Sequence, residues 1–217
     1  MKQISVILSL LVFLSACSAQ KSGQQHTDNG QRIIPGAERI EVYLPLIKGK
    51  RVAIFANQTS MVENTNLIDT LSKLGINIKM VFGPEHGFRG TADAGEKVGN
   101  FIDEKTGIPV VSLYGSKRRP SADDLKDVDI MIFDIQDVGV RFYTFISSLQ
   151  EYMEAAFENS KPLLILDRPN PNGFYVDGPV LDPKFKSFVG MQPVPTVYGL
   201  TVCEYAMLIA GERWLSS

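Results

Sequence analysis

The chain has 217 residues, 44% of them hydrophobic and 21% charged, with 18 glycines, 12 prolines and 2 cysteines. That length and apolar fraction suit one globular domain, or one domain and a piece of a second. They exclude collagen-like, disulfide-framework and largely disordered chains. A net charge of −2 and a pI near 5.7 leave no chain-wide basic field, so no nucleic-acid partner is expected.

The apolar run Ile4 to Ala16 follows Lys2 and is about half the ~20 residues a membrane-spanning helix needs. A positive start, a short apolar core and small residues before Cys17 read as a secretory signal over residues 1–16. Leu14-Ser15-Ala16-Cys17 resembles the bacterial lipobox, which implies cleavage before Cys17 and lipidation of its thiol. The alternative is an ordinary signal peptide with a chance cysteine. The expected location is therefore the bacterial cell envelope, with a lipid anchor as the membrane partner. Ser18 is not the aspartate of an inner-membrane retention signal, so in a cell with two membranes the outer one, facing the periplasm, is expected. Residues 17–36 are polar at first and read as a flexible tether.

From Arg39 onward, short apolar runs alternate with helical-period stretches. Strands are predicted at Arg51–Ala56, Ile76–Phe82, Pro109–Tyr114, Val128–Phe133 and Leu163–Leu166. Helices are predicted at Asn64–Leu74, with Leu67, Ile68, Leu71 and Leu74 on one face, and at Phe142–Phe157. Gly75 stops the first of these. Ser121 caps a short helix through Leu125, with Asp123 and Asp124 in its first turn. Several strands are continuously apolar, as parallel strands covered on both faces should be. The pattern predicts an α/β fold: a Rossmann-like, doubly wound, mostly parallel sheet of about five strands over residues 37–175. Residues 83–107 show no element and read as a long functional loop. Residues 176–217 read as a connector and the first helix of an incomplete C-terminal domain. That helix, Thr201–Leu215, carries a capping box of Thr201 and Glu204.

Polar clusters fall at the carboxyl ends of the predicted strands. Asn57-Gln58-Thr59 follows the first, Gly83-Pro84-Glu85-His86-Gly87 the second and Tyr114 closes the third. Asp134-Ile135-Gln136-Asp137 follows the fourth, and Asp167-Arg168-Pro169-Asn170 the fifth. Doubly wound sheets bind ligands at that edge, so the clusters point to one site.

Those motifs, extended to Phe88-Arg89-Gly90, to Val138-Gly139-Val140-Arg141-Phe142-Tyr143-Thr144 and to Pro171-Asn172-Gly173, resemble the exo-β-N-acetylmuramidase family. This is glycoside hydrolase family 171, formerly a domain-of-unknown-function family. The resemblance runs from about Ile40 through Asp177–Leu181, Gly199-Leu200-Thr201 and Glu204. It implies removal of N-acetylmuramic acid from the non-reducing ends of peptidoglycan fragments or muropeptides. It also implies a Rossmann-like N-terminal domain without a nucleotide. Family members continue into a second domain, so a separately encoded C-terminal half is an expected partner. Cys203 stands where the family usually has glycine.

Glycosidic cleavage needs a proton on the leaving oxygen, normally from a carboxylic acid of raised pKa. Glu85 is the candidate for that acid/base; the alternative is that it pairs with Arg89 and pins the loop. His86 either orients Glu85, bonds a sugar hydroxyl or is structural. Asp134 is assigned to the catalytic group as a stabiliser of positive charge or of the substrate's acetamido group. Asp137 is either a substrate contact or the cap of a helix starting near Val140. Arg141 and Arg168 suit the lactyl carboxylate of N-acetylmuramic acid, or pair with Asp134 or Asp167. Asn57, Gln58, Arg89, Tyr114, Tyr143 and Asn170 complete the candidate substrate contacts, although Asn170 and Asn172 between prolines also suit a turn. Phe142 and Phe145 read as core, and Cys203 as a buried small hydrophobe. No cofactor is expected. A metal site at Glu85, His86, Asp134 and Asp137 has a weak signature. The competing reading is a noncatalytic lipoprotein that binds muropeptides or sugars.

Overall fold

The structure is a computed structural model and describes residues 32–84, 87–90 and 99–215. The signal segment, Cys17, Glu85 and His86 lie outside the described residues.

The described chain from Ile33 onward forms a six-stranded sheet with helices on both faces. In chain order the elements are α1 (Ile40–Ile47), β1 (Arg51–Ala56), a hairpin of β2 (Met61–Val62) and β3 (Thr65–Asn66), and α2 (Leu67–Lys73). Then come β4 (Asn77–Gly83), β5 (Phe101–Ile102), β6 (Pro109–Ser112), α3 (Ala122–Leu125), β7 (Ile130–Asp134), α4 (Phe145–Glu158), β8 (Leu163–Ile165) and α5 (Val202–Gly211). The sheet order is β5-β6-β4-β1-β7-β8. All its pairings are parallel except β5 on β6.

Strand periodicity sorts the apolar side chains into two cores, because successive residues point to opposite faces. Ala53 and Phe55 of β1, Phe82 of β4 and Met131 and Phe133 of β7 meet α4 and α5 on one face. Val52, Ile54, Val81, Ile130 and Ile132 meet α1 and α2 on the other. Phe55 stacks on Phe133 with centroids 5.2 Å apart, and Tyr152 of α4 tilts against both. Complete burial of a side chain such as Phe55 contributes about 1.5–3 kcal/mol. Val202, Tyr205, Ala206 and Ile209 of α5 share the core of α4.

The elements differ from the sequence expectation in four informative places. Helix α2 starts at Leu67 rather than Asn64, because Met61–Asn66 pairs as a hairpin and the Asn66 side chain accepts from Ile68 N at 2.9 Å. Helix α4 starts at Phe145 rather than Phe142. The backbone before it is taken up by the connector, where Arg141 N donates to Thr196 O at 2.8 Å and Val140 bridges Val197. Helix α1, which holds Pro45 inside it, and the two-residue edge strand β5 lie outside the sequence expectation. The capping boxes at Ser121/Asp124 and Thr201/Glu204 both form.

Candidate active site

Strand order reverses between β1 and β7. Loops leaving neighbouring strands at such a reversal diverge, which opens a crevice outside their carboxyl ends. Here the two loops are tied together by hydroxyls. Ser60 Oγ donates to the Asp134 carbonyl and accepts from Asn57 N at 2.9 Å. Thr59 Oγ1 accepts from Gln136 N at 2.9 Å and donates to Asn57 Oδ1 at 2.6 Å. The Asn57 side-chain oxygen is thus taken up in its own turn, whereas Gln58 is exposed on the rim.

Asp134 ends β7 and is fully buried. Arg168 grips it side-on, with Nε to Oδ1 at 2.6 Å and Nη2 to Oδ2 at 3.0 Å, and Nη2 also donates to the Met61 carbonyl at 2.9 Å. Burial pushes the Asp134 carboxyl above its ordinary value, and the guanidinium opposes that push. Of the two alternatives for Arg168, the structure shows the pair with Asp134. Asp167 turns the other way: it accepts from Thr201 Oγ1 at 2.8 Å and from Cys203 N at 3.0 Å, at the amino end of α5.

Asp137 does not cap a helix. The residue before α4 is Thr144, and the Asp137 carboxylate instead accepts from Gly139 N at 2.7 Å and from the Tyr198 hydroxyl. Its other oxygen is buried without a hydrogen-bond partner among the described residues. Burial raises its pKa against the hydrogen bonds from Tyr198, Gly139 and Val138, and burial with Asp137 alongside raises that of Tyr198. Tyr198 is 61 residues away in sequence, and no local pattern announces the pairing.

The loop after β4 is anchored on both sides of Glu85 and His86. Gly87 N donates to Pro84 O at 3.0 Å, and Phe88 is fully buried in the α2 core. Arg89 binds Asp103 through Nε and Nη2, each at 2.7 Å, and Asp69 through Nη2 at 3.0 Å. Arg89 therefore bridges two buried aspartates that sequence reasoning did not single out. Its guanidinium holds Asp103 below the ordinary carboxylate range. Burial works against the same effect at Asp69, but bonds from Arg89 and Lys105 prevail.

Asn170 spends its carboxamide on the backbone: Nδ2 donates to Leu200 O at 2.8 Å and Oδ1 accepts from Asn172 N at 2.8 Å. Gly139 has φ +76°, and a Cβ there would lie 2.1 Å from Asn170 Oδ1, so only glycine fits this contact. Tyr114 is half-buried behind β6. Phe142 is exposed rather than core, because the helix that would have turned it inward begins later, and Tyr143 beside it is exposed as well. Arg141 Nη1 donates to Pro179 O at 2.9 Å and to the Val194 carbonyl.

A cavity of about 710 Å³ flanks β8, lined in part by Arg39, Tyr43, Asp167, Arg168, Asn170 and Glu204. Asn57, Asp134, Asp137 and Arg141 do not line it, so it backs the Asp167–Asn170 loop rather than opening the crevice at the strand reversal. Among the described residues no group of three or more His, Cys, Asp or Glu is placed to hold a metal ion.

The sequence profile of the family described as exo-beta-N-acetylmuramidase NamZ, N-terminal, matches residues 52–217. The chain belongs to that family. It is 42% identical over 214 residues to the peptidoglycan beta-N-acetylmuramidase NamZ of Bacillus subtilis, covering 95% of this chain and 51% of that protein. Two crystal structures of DUF1343 family proteins from Bacteroides fragilis share the fold. One has a TM-score of 0.75 at 50% identity, over 84% of this chain and 48% of that one. The other has a TM-score of 0.78 at 40% identity, over 86% and 48%. The chain spans about half the length of these NamZ and DUF1343 relatives.

Proposed function

We propose that this chain supplies the Rossmann-like part of a peptidoglycan glycosidase that removes N-acetylmuramic acid from non-reducing ends, with Glu85 as the general acid/base. The observation that carries the reading is the 42% identity to the Bacillus peptidoglycan beta-N-acetylmuramidase across 95% of this chain. The anchoring around Glu85 supports the assignment. A proton donor must hold a fixed position relative to the leaving oxygen. Here the turn bond from Gly87 to Pro84, the buried Phe88 ring and the Arg89 bridge fix both flanks. Arg89, the partner that the pinning alternative needs, already pairs with Asp69 and Asp103.

The network at Asp134 supports a positioning part for that residue, since its carboxylate is already gripped by Arg168. In this reading the acid protonates the glycosidic oxygen as that bond breaks, and a water molecule supplies the hydroxyl that ends on the sugar's anomeric carbon. The test is Glu85→Gln, which keeps shape and hydrogen bonding but removes the acid. Release of N-acetylmuramic acid from a disaccharide should fall by roughly 10²–10⁴, with a smaller loss on a substrate bearing a good leaving group. Activity within about threefold of wild type, far short of that fall, would remove Glu85 from the mechanism.

Because the chain spans about half of its relatives, a second reading is a noncatalytic muropeptide- or sugar-binding lipoprotein. Stoichiometric binding without turnover by the wild-type chain would decide for it. The lipobox-like Leu14–Cys17 supports attachment to the envelope by a lipid on Cys17. Cys17→Ala should shift the protein out of the membrane fraction or leave its signal uncleaved.

A further inference from the structure

We infer that Arg141 is the specificity-determining contact for a carboxylate carried by the sugar, with Phe142 and Tyr143 as the surface beside it. The inference deepens the proposed glycosidase reading and rests on it.

Three arginines of this chain show how their charge is normally spent. Arg168 closes its Nε–Nη2 edge on Asp134 at 2.6 and 3.0 Å. Arg89 closes the same edge on Asp103 at 2.7 and 2.7 Å. Arg51 does so on Asp129 at 3.2 and 2.9 Å. That edge presents two parallel N–H bonds, which match the two oxygens of a carboxylate. Arg141 differs. Its bonds run from Nη1 to the carbonyls of Pro179 and Val194, and its Nε–Nη2 edge meets no acceptor among the described residues. Carbonyl oxygens accept hydrogen bonds without cancelling the formal charge, so the guanidinium remains electrostatically uncompensated.

The same two carbonyls orient the group. The main chain is also fixed, by Arg141 N to Thr196 O at 2.8 Å and by the Val140–Val197 bridge. A cation held this firmly binds an anion with little further ordering, which is how preorganisation raises affinity. Its place is the loop that leaves β7, on the carboxyl side of the strand reversal. The next two residues are aromatic and unusually open: Phe142 is 57% and Tyr143 46% exposed, with ring centroids 5.8 Å apart. Exposed aromatic surface beside a fixed cation suits an amphipathic ring carrying a negative substituent. N-acetylmuramic acid is such a ligand, and N-acetylglucosamine is the same ring without the lactyl carboxylate.

The experiment compares these two sugars as ligands of the full chain, by calorimetric or NMR titration. Wild type should bind N-acetylmuramic acid at least about tenfold more tightly, the usual scale for charge-assisted hydrogen bonds. Arg141→Gln should abolish that preference while leaving N-acetylglucosamine binding unchanged. Arg141→Lys keeps the charge but not the planar fork, so it should retain only part of the preference, and it replaces the glutamine variant if that fails to fold. Arg118→Gln removes the same charge from a guanidinium lying over Phe188, and should keep the preference. If wild type prefers N-acetylmuramic acid and both Arg141 variants keep that preference, the role of Arg141 is refuted and the glycosidase reading stands. If wild type binds the two sugars equally, or neither, the inference fails together with the substrate on which it rests.

Discussion

Replacing Asp134 by alanine should destabilise the chain by about 3–5 kcal/mol, the scale for removing one partner of a buried ion pair. The magnitude follows from the surroundings. Asp134 is fully buried and Arg168 is 7% exposed, so water cannot take over the solvation of the guanidinium once its partner is gone. Two charge-assisted bonds disappear, and the single remaining bond to the Met61 carbonyl leaves the positive charge unneutralised. For a chain of this size the loss corresponds to a melting-point drop of very roughly 6–20 °C. Arg168→Met should cost a comparable amount by stranding Asp134. The double variant Asp134→Leu/Arg168→Met should cost clearly less than the two single losses together, because no charge is then left buried. Urea denaturation followed by fluorescence of the lone Trp214 suits the measurement, since that residue packs against the α4–α5 core. Single losses below about 1 kcal/mol, or losses that add within about 0.5 kcal/mol, would refute the pairing as a structural element.

Three further outcomes follow from named contacts. Asp103 and Asp69 have depressed pKa values, so the stability they confer is full above the unfolded value near 3.9 and is lost as pH falls toward their folded values. Arg89→Met should therefore lower stability at pH 7 by roughly 2 kcal/mol, less than for a fully buried pair because Arg89 is 27% exposed, and should flatten the acid limb of the stability curve; an unchanged acid limb would disprove the bridge. Asp137 has the opposite sign: its raised pKa means that the folded state holds the proton more tightly than the unfolded chain does. Its ionisation penalty grows as pH rises from about 3.9 toward its raised folded value, so Asp137→Asn should gain stability relative to wild type across that interval, and a pH-independent difference would refute this. Gly139→Ala should cost about 2–4 kcal/mol, from the left-handed backbone and the displaced Asn170 bonds, as read from thermal melts; a neutral outcome would mean that the Asn170 loop yields freely.

The sequence by itself determined the parts that depend on neighbours along the chain. Strands β1 and β7 were legible because a segment buried on both faces is apolar almost throughout, and β4, β6 and β8 because each holds a short apolar run, although their ends are exposed or half-buried. The caps of α3 and α5 were legible because Ser121 and Asp124, and Thr201 and Glu204, satisfy each other's backbone donors locally. The carboxyl-edge position of the polar clusters followed directly from the strand boundaries. Tertiary structure alone decided the strand order, the reversal between β1 and β7, and therefore which two clusters border the crevice. It also decided how each charge is spent. Arg89, Arg141 and Arg168 look equivalent in sequence, yet Arg89 meets Asp103 and Asp69, Arg168 meets Asp134, and Arg141 meets only carbonyls among the described residues. The start of α4 at Phe145, the burial of Asp137 against Tyr198 and the exposure of Phe142 and Tyr143 share one cause: the distant connector at residues 194–198 lies against residues 137–141. Such contacts are set by burial and pairing between segments tens of residues apart, for which local periodicity carries no signal.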